Sequence, residues 1–217
     1  ATGITTRPGV NYQQFLPITS GAGGQNWIVV ANAGPTTATV DLTFSDNNGS
    51  SLGTRSIRLG PRAQHHIFAN DLLPAGHSGM VRMRGRENSD RFIAKSVLYY
   101  ISAAGRTIAS YGVPARPQYQ GEKFSTYNTF LGQQNWLKIF NTTTNLADVN
   151  VELFSINGTS LGARQLQLHP NTGKDLEINA SLGFGVPANT YGVLKLTSVP
   201  QGAIFSDIVR INYEGSE

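Results

Sequence analysis

The chain contains no cysteine, which excludes disulfides, zinc–thiolate centres, iron–sulfur clusters and cysteine nucleophiles. Charged residues are scarce, at 14% against roughly 25% in an average soluble domain, so charge-driven disorder is not expected. No stretch approaches the ~18 consecutive apolar residues that a membrane-spanning helix needs. A Walker loop, a Gly-x-Gly-x-x-Gly opening a helix and a Gly-x-Ser-x-Gly elbow are all missing. The acidic residues of the first half (Asp41, Asp46, Asp71, Glu87, Asp90) are scattered rather than paired. No catalytic residue and no cofactor are expected. What is present is 39% hydrophobic residues, enough for a core, in 217 residues. That length suits two ordinary domains or one large all-β domain.

Sliding the sequence against itself yields one dominant register, a shift of 109 residues. It places Gln25-Asn26-Trp27 on Gln134-Asn135-Trp136, and Asn48-Gly49 and Ser51-Leu52-Gly53 on Asn157-Gly158 and Ser160-Leu161-Gly162. It also matches Gly3 to Gly112, Arg7-Pro8 to Arg116-Pro117 and Phe15 to Phe124. From residue 3 to residue 61 there are 19 identities in 59 positions, where average composition gives about 4 by chance. Beyond Pro61 the match needs small gaps, with Gly79 answering Gly192 and Ser96-Val97-Leu98 answering Asp207-Ile208-Val209. The unit is too long for a solenoid or propeller repeat. Two domains are therefore expected, 1–112 and 113–217, joined near Val113-Pro114-Ala115-Arg116-Pro117. A segment like Arg106-Thr107-Ile108-Ala109 would, by the repeat, sit before Ala1 or after Glu217. The expectation is an excerpt from a longer array, or a last module lacking one strand and exposing an edge that pairs with another chain.

Both copies alternate apolar and polar residues with a period of two, the mark of half-buried strands. Val40, Leu42 and Phe44 alternate with Asp41 and Thr43; Val149, Val151 and Leu153 alternate with Asn150 and Glu152. Each run ends at Asn-Gly, a strong hairpin signal because both residues tolerate positive φ. No amphipathic helix is evident. Six or seven short strands per copy predict an all-β chain of two tandem antiparallel Greek-key β-sandwiches. In strand number, module length and duplication the chain resembles the tandem immunoglobulin-like and fibronectin-type-III-like modules of bacterial secreted and cell-surface proteins. The resemblance implies a sandwich and an extracellular setting, without the Cys…Trp…Cys pattern of true immunoglobulin domains.

Trp27 and Trp136 read as core residues between the sheets, with Asn26 and Asn135 bonding a loop backbone; stacking on a sugar is the functional alternative. His65 and His66 are adjacent in a strand and point to opposite faces, so they cannot chelate one ion. Asp46-Asn47-Asn48-Gly49 holds one carboxylate where calcium wants several, and a hairpin turn explains it. No metal is expected. Asn48, Asn141, Asn157 and Asn179 head N-x-S/T sequons.

Charge is the best functional signal. Residues 1–112 carry a net charge of +5 and residues 113–217 a net of −1, and nine of the first half's ten basic residues are arginine. Arg82, Arg84 and Arg86 recur at spacing two on one strand, with Arg91 across a turn, and so form an arginine-lined face. Their planar forks suit sulfate, phosphate or carboxylate groups. An ordinary solvated face with Glu87 and Asp90 as counter-ions explains the same letters. Tyr99, with Tyr100 or Tyr111, is the aromatic candidate beside them. The expected function is a non-catalytic structural or adhesive module, secreted or on a cell surface, that mediates surface or matrix binding and self-associates through strand edges, with an anionic polysaccharide or cell-surface component as the expected partner. A carbohydrate-binding module and an accessory domain pair of a larger secreted enzyme are the alternatives. No nucleic-acid motif accompanies the arginines.

Overall fold

A computed structural model describes residues 13–102, 104–178, 184 and 186–211. The described residues form an all-β chain of strands joined by turns and three short 3-10 segments. The chain divides into two compact units, Ala1–Pro117 and Gln118–Glu217. The first carries β1 (Gln14–Thr19), β2 (Gln25–Asn32), β3 (Ala38–Asp46), β4 (Ser51–Leu59), β5 (Gln64–Phe68), β6 (Ser78–Gly85), β7 (Phe92–Ile101), β8 (Thr107–Pro114) and β9 (Arg116–Pro117). The second carries β10 (Lys123–Asn128), β11 (Gln134–Asn141), β12 (Ala147–Ser155), β13 (Ser160–Leu168), β14 (Gly173–Glu177), β15 (Tyr191–Val199) and β16 (Ile204–Ile211). The division falls five residues beyond the 112/113 boundary expected from the repeat, because β8 pairs with β7 and β9 with β1.

All pairings are antiparallel. In the first unit the sheets run β4-β3-β6-β1-β9 and β5-β2-β7-β8; in the second they run β13-β12-β15-β10 and β14-β11-β16. Shifting the bounds of β1–β5 by 109 reproduces those of β10–β14 residue for residue. In each unit both sheets contribute to one core, the arrangement of a β-sandwich. The first core takes Leu16, Ile18, Val40, Leu42, Phe44, Val81 and Met83 from one sheet, and Ile28, Val30, Ile67, Phe92 and Ala94 from the other. The second joins Tyr127, Val149, Val151, Leu153, Leu194 and Leu196 to Leu137, Ile139 and Ile204. Truncating one such buried aliphatic side chain to alanine costs about 2–5 kcal/mol.

The strand order departs from the immunoglobulin order, ABED on one sheet and CFG on the other. With β1–β7 lettered A to G, the B–E and C–F pairs are shared. However, β1 lies on β6 rather than β2, β7 on β2 rather than β6, and β4 on β3 rather than β5. Periodicity reveals which face of a strand is buried, not which strand lies beside it. Gly79 and Gly192 occupy matching places where strands cross closely: a Cβ would collide with the carbonyl oxygens of Ser45 and Phe154, respectively.

Four buried asparagines complete the packing. Asn32 ends β2, and its Nδ2 donates to the carbonyls of Thr36, Leu59 and Gly60 at 2.7, 3.2 and 2.9 Å. Its Oδ1 accepts the Gly34 N–H at 2.8 Å. Asn141 repeats this in the second unit, donating to Asn145, Leu168 and His169 at 2.7, 3.0 and 3.1 Å. Asn26 accepts the Thr19 N–H at 2.9 Å and donates to Ser96 Oγ at 2.6 Å, tying one sheet to the other. Asn135 accepts the Asn128 N–H at 2.9 Å and donates to its carbonyl at 2.7 Å. Each amide supplies donors to carbonyls that would otherwise be buried unsatisfied, at about 1–3 kcal/mol per group. Asn32→Ala is expected to lower unfolding free energy by about 2–4 kcal/mol, measured by urea denaturation. Asn48→Ala, at an exposed hairpin tip, is expected to change it by less than about 0.5 kcal/mol.

Candidate anion-binding face

The site is the outer face of β4-β3-β6-β1-β9. Inward positions Val40, Leu42, Val81 and Met83 are core, so the alternate residues Asp41, Thr43, Arg82 and Arg84 face outward. The registers set their neighbours. Arg84 lies opposite Asp41, which lies opposite Ser56; Thr39 lies opposite Arg58. Arg82 lies between Thr43 and Phe15, and Phe15 has Arg116 on its other side. Cross-strand neighbours on one face are about 5 Å apart at Cβ, so Arg58, Arg82, Arg84, Arg86 and Arg116 form a cationic surface around one strand-borne carboxylate, Asp41.

The arginines are not equivalent. Arg86 Nε and Nη2 bond Asp41 at 3.1 and 2.7 Å, and Nη2 also donates to Ser56 Oγ at 2.8 Å. The hydrogen bond from Arg86 holds the Asp41 carboxyl below its usual pKa, and the same bond raises that of Arg86. Arg82 lies with its guanidinium carbon 5.7 Å from the centroid of the Phe15 ring, and burial lowers its pKa. Arg84 and Arg58 are exposed and make no ion pair among the described residues. The arrangement can offer two unpaired forks, with Arg86 released if its carboxylate is neutralised.

The second unit does not repeat the face. Lys195 occupies the place of Arg82 and is bonded to Glu122 at 2.6 Å; Thr197, Asn150 and Gln167 replace Arg84, Asp41 and Arg58. With the division after Pro117, the first unit holds 11 basic and 5 acidic residues, net +6; the second holds 6 and 8, net −2.

Of the residues expected from sequence, Arg82, Arg84 and Arg86 come together here. Arg91 does not: it sits in the β6–β7 loop, and its Nη1 donates to the Asn88 and Asp90 carbonyls at 2.7 and 3.2 Å. Tyr99, 36% exposed, is on β7 in the opposite sheet, with Tyr100, while Tyr111 is on β8 beside them. The sandwich therefore separates the aromatic candidates from the arginines. Arg58 and Arg116 join this face in the structure without being among the residues expected from sequence. Arg58 shares a face with Thr39 through the β3–β4 hairpin, a signal present in the alternation; Arg116 is placed only by the β9–β1 pairing.

The tryptophan expectation is corrected. In β2 the inward positions are Asn26, Ile28, Val30 and Asn32, so Trp27 faces outward, half-buried, with its ring 4.8 Å from that of Phe68. Trp136 is likewise half-buried on the outer face, and its Nε1 donates to Gln134 at 3.3 Å. The polar partner of the motif takes the core and the aromatic takes the surface, because only the amide satisfies the strand ends inside. The amides of Asn26 and Asn135 are hydrogen-bonded, but chiefly to strand residues (Thr19 and Ser96, and Asn128) rather than to the loop backbone expected.

Asp46 Oδ1 accepts the N–H groups of Asn48 and Ser50 at 2.9 and 2.8 Å, which makes its loop a stapled hairpin turn. Among the described residues no cluster of three or more His, Asp or Glu is placed to hold a metal. The sequon Asn48 is exposed at a hairpin tip, as is Asn157. Asn141 is 0% exposed with its amide fully bonded, so the folded protein offers no acceptor there. Asn179 lies outside the described residues.

Asp41→Asn removes the carboxylate that engages Arg86. The variant is expected to elute from an immobilised sulfated polysaccharide at higher salt than the native chain; unchanged elution would exclude Asp41 as the neutralising group. The folded pKa of Asp41 lies below its unfolded value, so its contribution to stability is present at neutral pH and disappears as pH falls through the acidic end of the carboxylate range. The stability difference between native chain and variant should shrink over that range.

No family model matches the sequence, and no curated protein matches it. Among solved structures the chain is similar to a β-glucuronidase of Bacteroides uniformis, at 13% identity and a TM-score of 0.25, covering 91% of this chain and 26% of that one. A second match is B. uniformis β-glucuronidase 2 covalently bound to cyclophellitol-6-carboxylate aziridine, at 12% identity and a TM-score of 0.23, with the same coverage of 91% and 26%. A third is a β-glucuronidase from glycoside hydrolase family 2, at 10% identity and a TM-score of 0.22, covering 96% of this chain and 23% of that one. The chain thus spans about a quarter of the length of these enzymes, and likeness at these TM-scores assigns it no activity.

Proposed function

We propose that this chain is a non-catalytic adhesive module, secreted or displayed on a cell, that binds acidic polysaccharide through the arginine face of its first unit. The observation that carries the reading is a sheet surface with five arginines around one strand-borne carboxylate, while the matching surface of the second unit is neutral or internally paired. A flat, extended cationic surface suits a polymer with repeated anionic groups, because each fork can take a carboxylate or sulfate in turn. The reading takes the two units as copies of one ancestral Greek-key sandwich produced by internal duplication, of which one acquired charge. The coincident strand bounds and the paired asparagines support that history.

Replacing Arg82, Arg84 and Arg86 together with serine is expected to weaken binding to acidic polysaccharide by about tenfold or more. Binding by the native chain should fall as salt rises. Calorimetry or a glycan array measures both, and unchanged affinity in the triple variant would remove the face from consideration. A second reading rests on the opposite sheet, where Trp27 stacks on Phe68 beside Val97 and Tyr99. If that strip binds neutral sugars, Trp27→Ala abolishes salt-insensitive array signals and the arginine variant leaves them intact.

A further inference from the structure

We infer that the outer edge of β16 accepts the segment Ala1–Pro8 of a second copy of this chain, joining copies head to tail. The inference extends the adhesive reading and rests on it for its purpose; its geometry comes from the first unit. There β7 is flanked by β2 and by β8, with Ser96 opposite Val113, Val97 opposite Gly112 and Tyr99 opposite Ser110. In the second unit β16 has β11 on one side, and among the described residues no strand on the other.

The pairings with β2 and β11 align Phe92 with Ile204 and Tyr99 with Ile211. The edge that β8 covers on Lys95–Tyr99 is thus the edge of Asp207–Ile211. The residues that lead into the first unit resemble those that lead into the second: Gly3 matches Gly112, Ile4 answers Val113, and Arg7-Pro8 matches Arg116-Pro117. Residues 110–114 pair with β7, and 116–117 pair with β1. The same template sets Ile4 of a second copy opposite Ile208, Gly3 opposite Val209 and Thr2 opposite Arg210. Val113 is buried in the first unit, and Ile4 would lie beside Ile208, which packs against the second core.

A separate observation marks the continuation of this track. Phe15, flanked by Arg82 of β6 and Arg116 of β9, is 1% exposed. Its counterpart Phe124 has Lys195 of β15 on one side, no strand on the other among the described residues, and is 63% exposed. Arg7-Pro8 of the incoming copy would take the place that Arg116-Pro117 holds beside Phe15. Charge favours the same pairing, since the incoming unit carries +6 and the receiving unit −2. Strand addition of this kind draws its affinity from main-chain hydrogen bonds and its register from alternate side chains.

The test is sedimentation velocity of chains 1–217 and 9–217, each tagged only at its C-terminus, across a range of concentrations. The full chain is expected to form multimers that lengthen with concentration. Removing residues 1–8, or substituting Ile4→Asp in the full chain, is expected to raise the concentration of half-association by about tenfold or more. A synthetic peptide of residues 1–8 should bind the shortened chain, and the same peptide should bind its Phe124→Ser variant more weakly. Far-UV circular dichroism reports that each variant is folded, independently of the arginine face. Equal association of full and shortened chains overturns the assignment of the segment, as does a strictly monomeric full chain. Loss of polysaccharide retention in the triple arginine variant with association intact bears on the adhesive reading alone.

Discussion

The interior of each sandwich depends on amides at the ends of one central strand. Connections that cross from sheet to sheet leave backbone carbonyls and N–H groups pointing into apolar surroundings, where each unpaired group is costly. Asn26 and Asn32 on β2, like Asn135 and Asn141 on β11, supply donors and an acceptor from one short side chain. A longer or a purely apolar side chain there would either displace the core or leave the crossings unsatisfied. The requirement explains why these four asparagines match across the repeat while many neighbouring core residues interchange among Ile, Leu and Val.

Among the described residues the interiors are filled by apolar side chains and strand-end amides, and the units differ on their outer faces and edges. The two units solve the same packing problem and differ where packing imposes nothing. On the first, outward positions of β4 and β6 and residue 86 just beyond β6 carry arginines, of which Arg82 lies over Phe15 and Arg86 is held by Asp41 of β3. On the second, the same positions carry Asn150, Gln167, Thr197 and a paired Lys195. Edge strands differ too: β7 is covered by β8, whereas β16 has an open side among the described residues.

The alternation of Val40-Asp41-Leu42-Thr43-Phe44 made the strands, their buried faces and the outward arginines legible without coordinates. The Asn-Gly turns did the same for the β3–β4 and β12–β13 hairpins. Trp27 was misplaced because size and hydrophobicity argue for burial, while parity along β2 gives the inward position to Asn26. Arg91 was misplaced because spacing across a turn says nothing about the carbonyls its guanidinium will meet. Tyr99 was misplaced because residues near in sequence on β6 and β7 belong to opposite sheets.

Local pattern is a property of a few consecutive residues, and it sufficed for strand positions, the repeat and the sign of the charge on each half. Which strands lie side by side is a matter of long-range pairing, where the energies of alternative orders differ through the whole core at once. Tertiary structure alone therefore decided the exchange of β1 and β7 relative to the immunoglobulin order, the company Arg58 and Arg116 keep, and the exposure of Phe124 where Phe15 is covered.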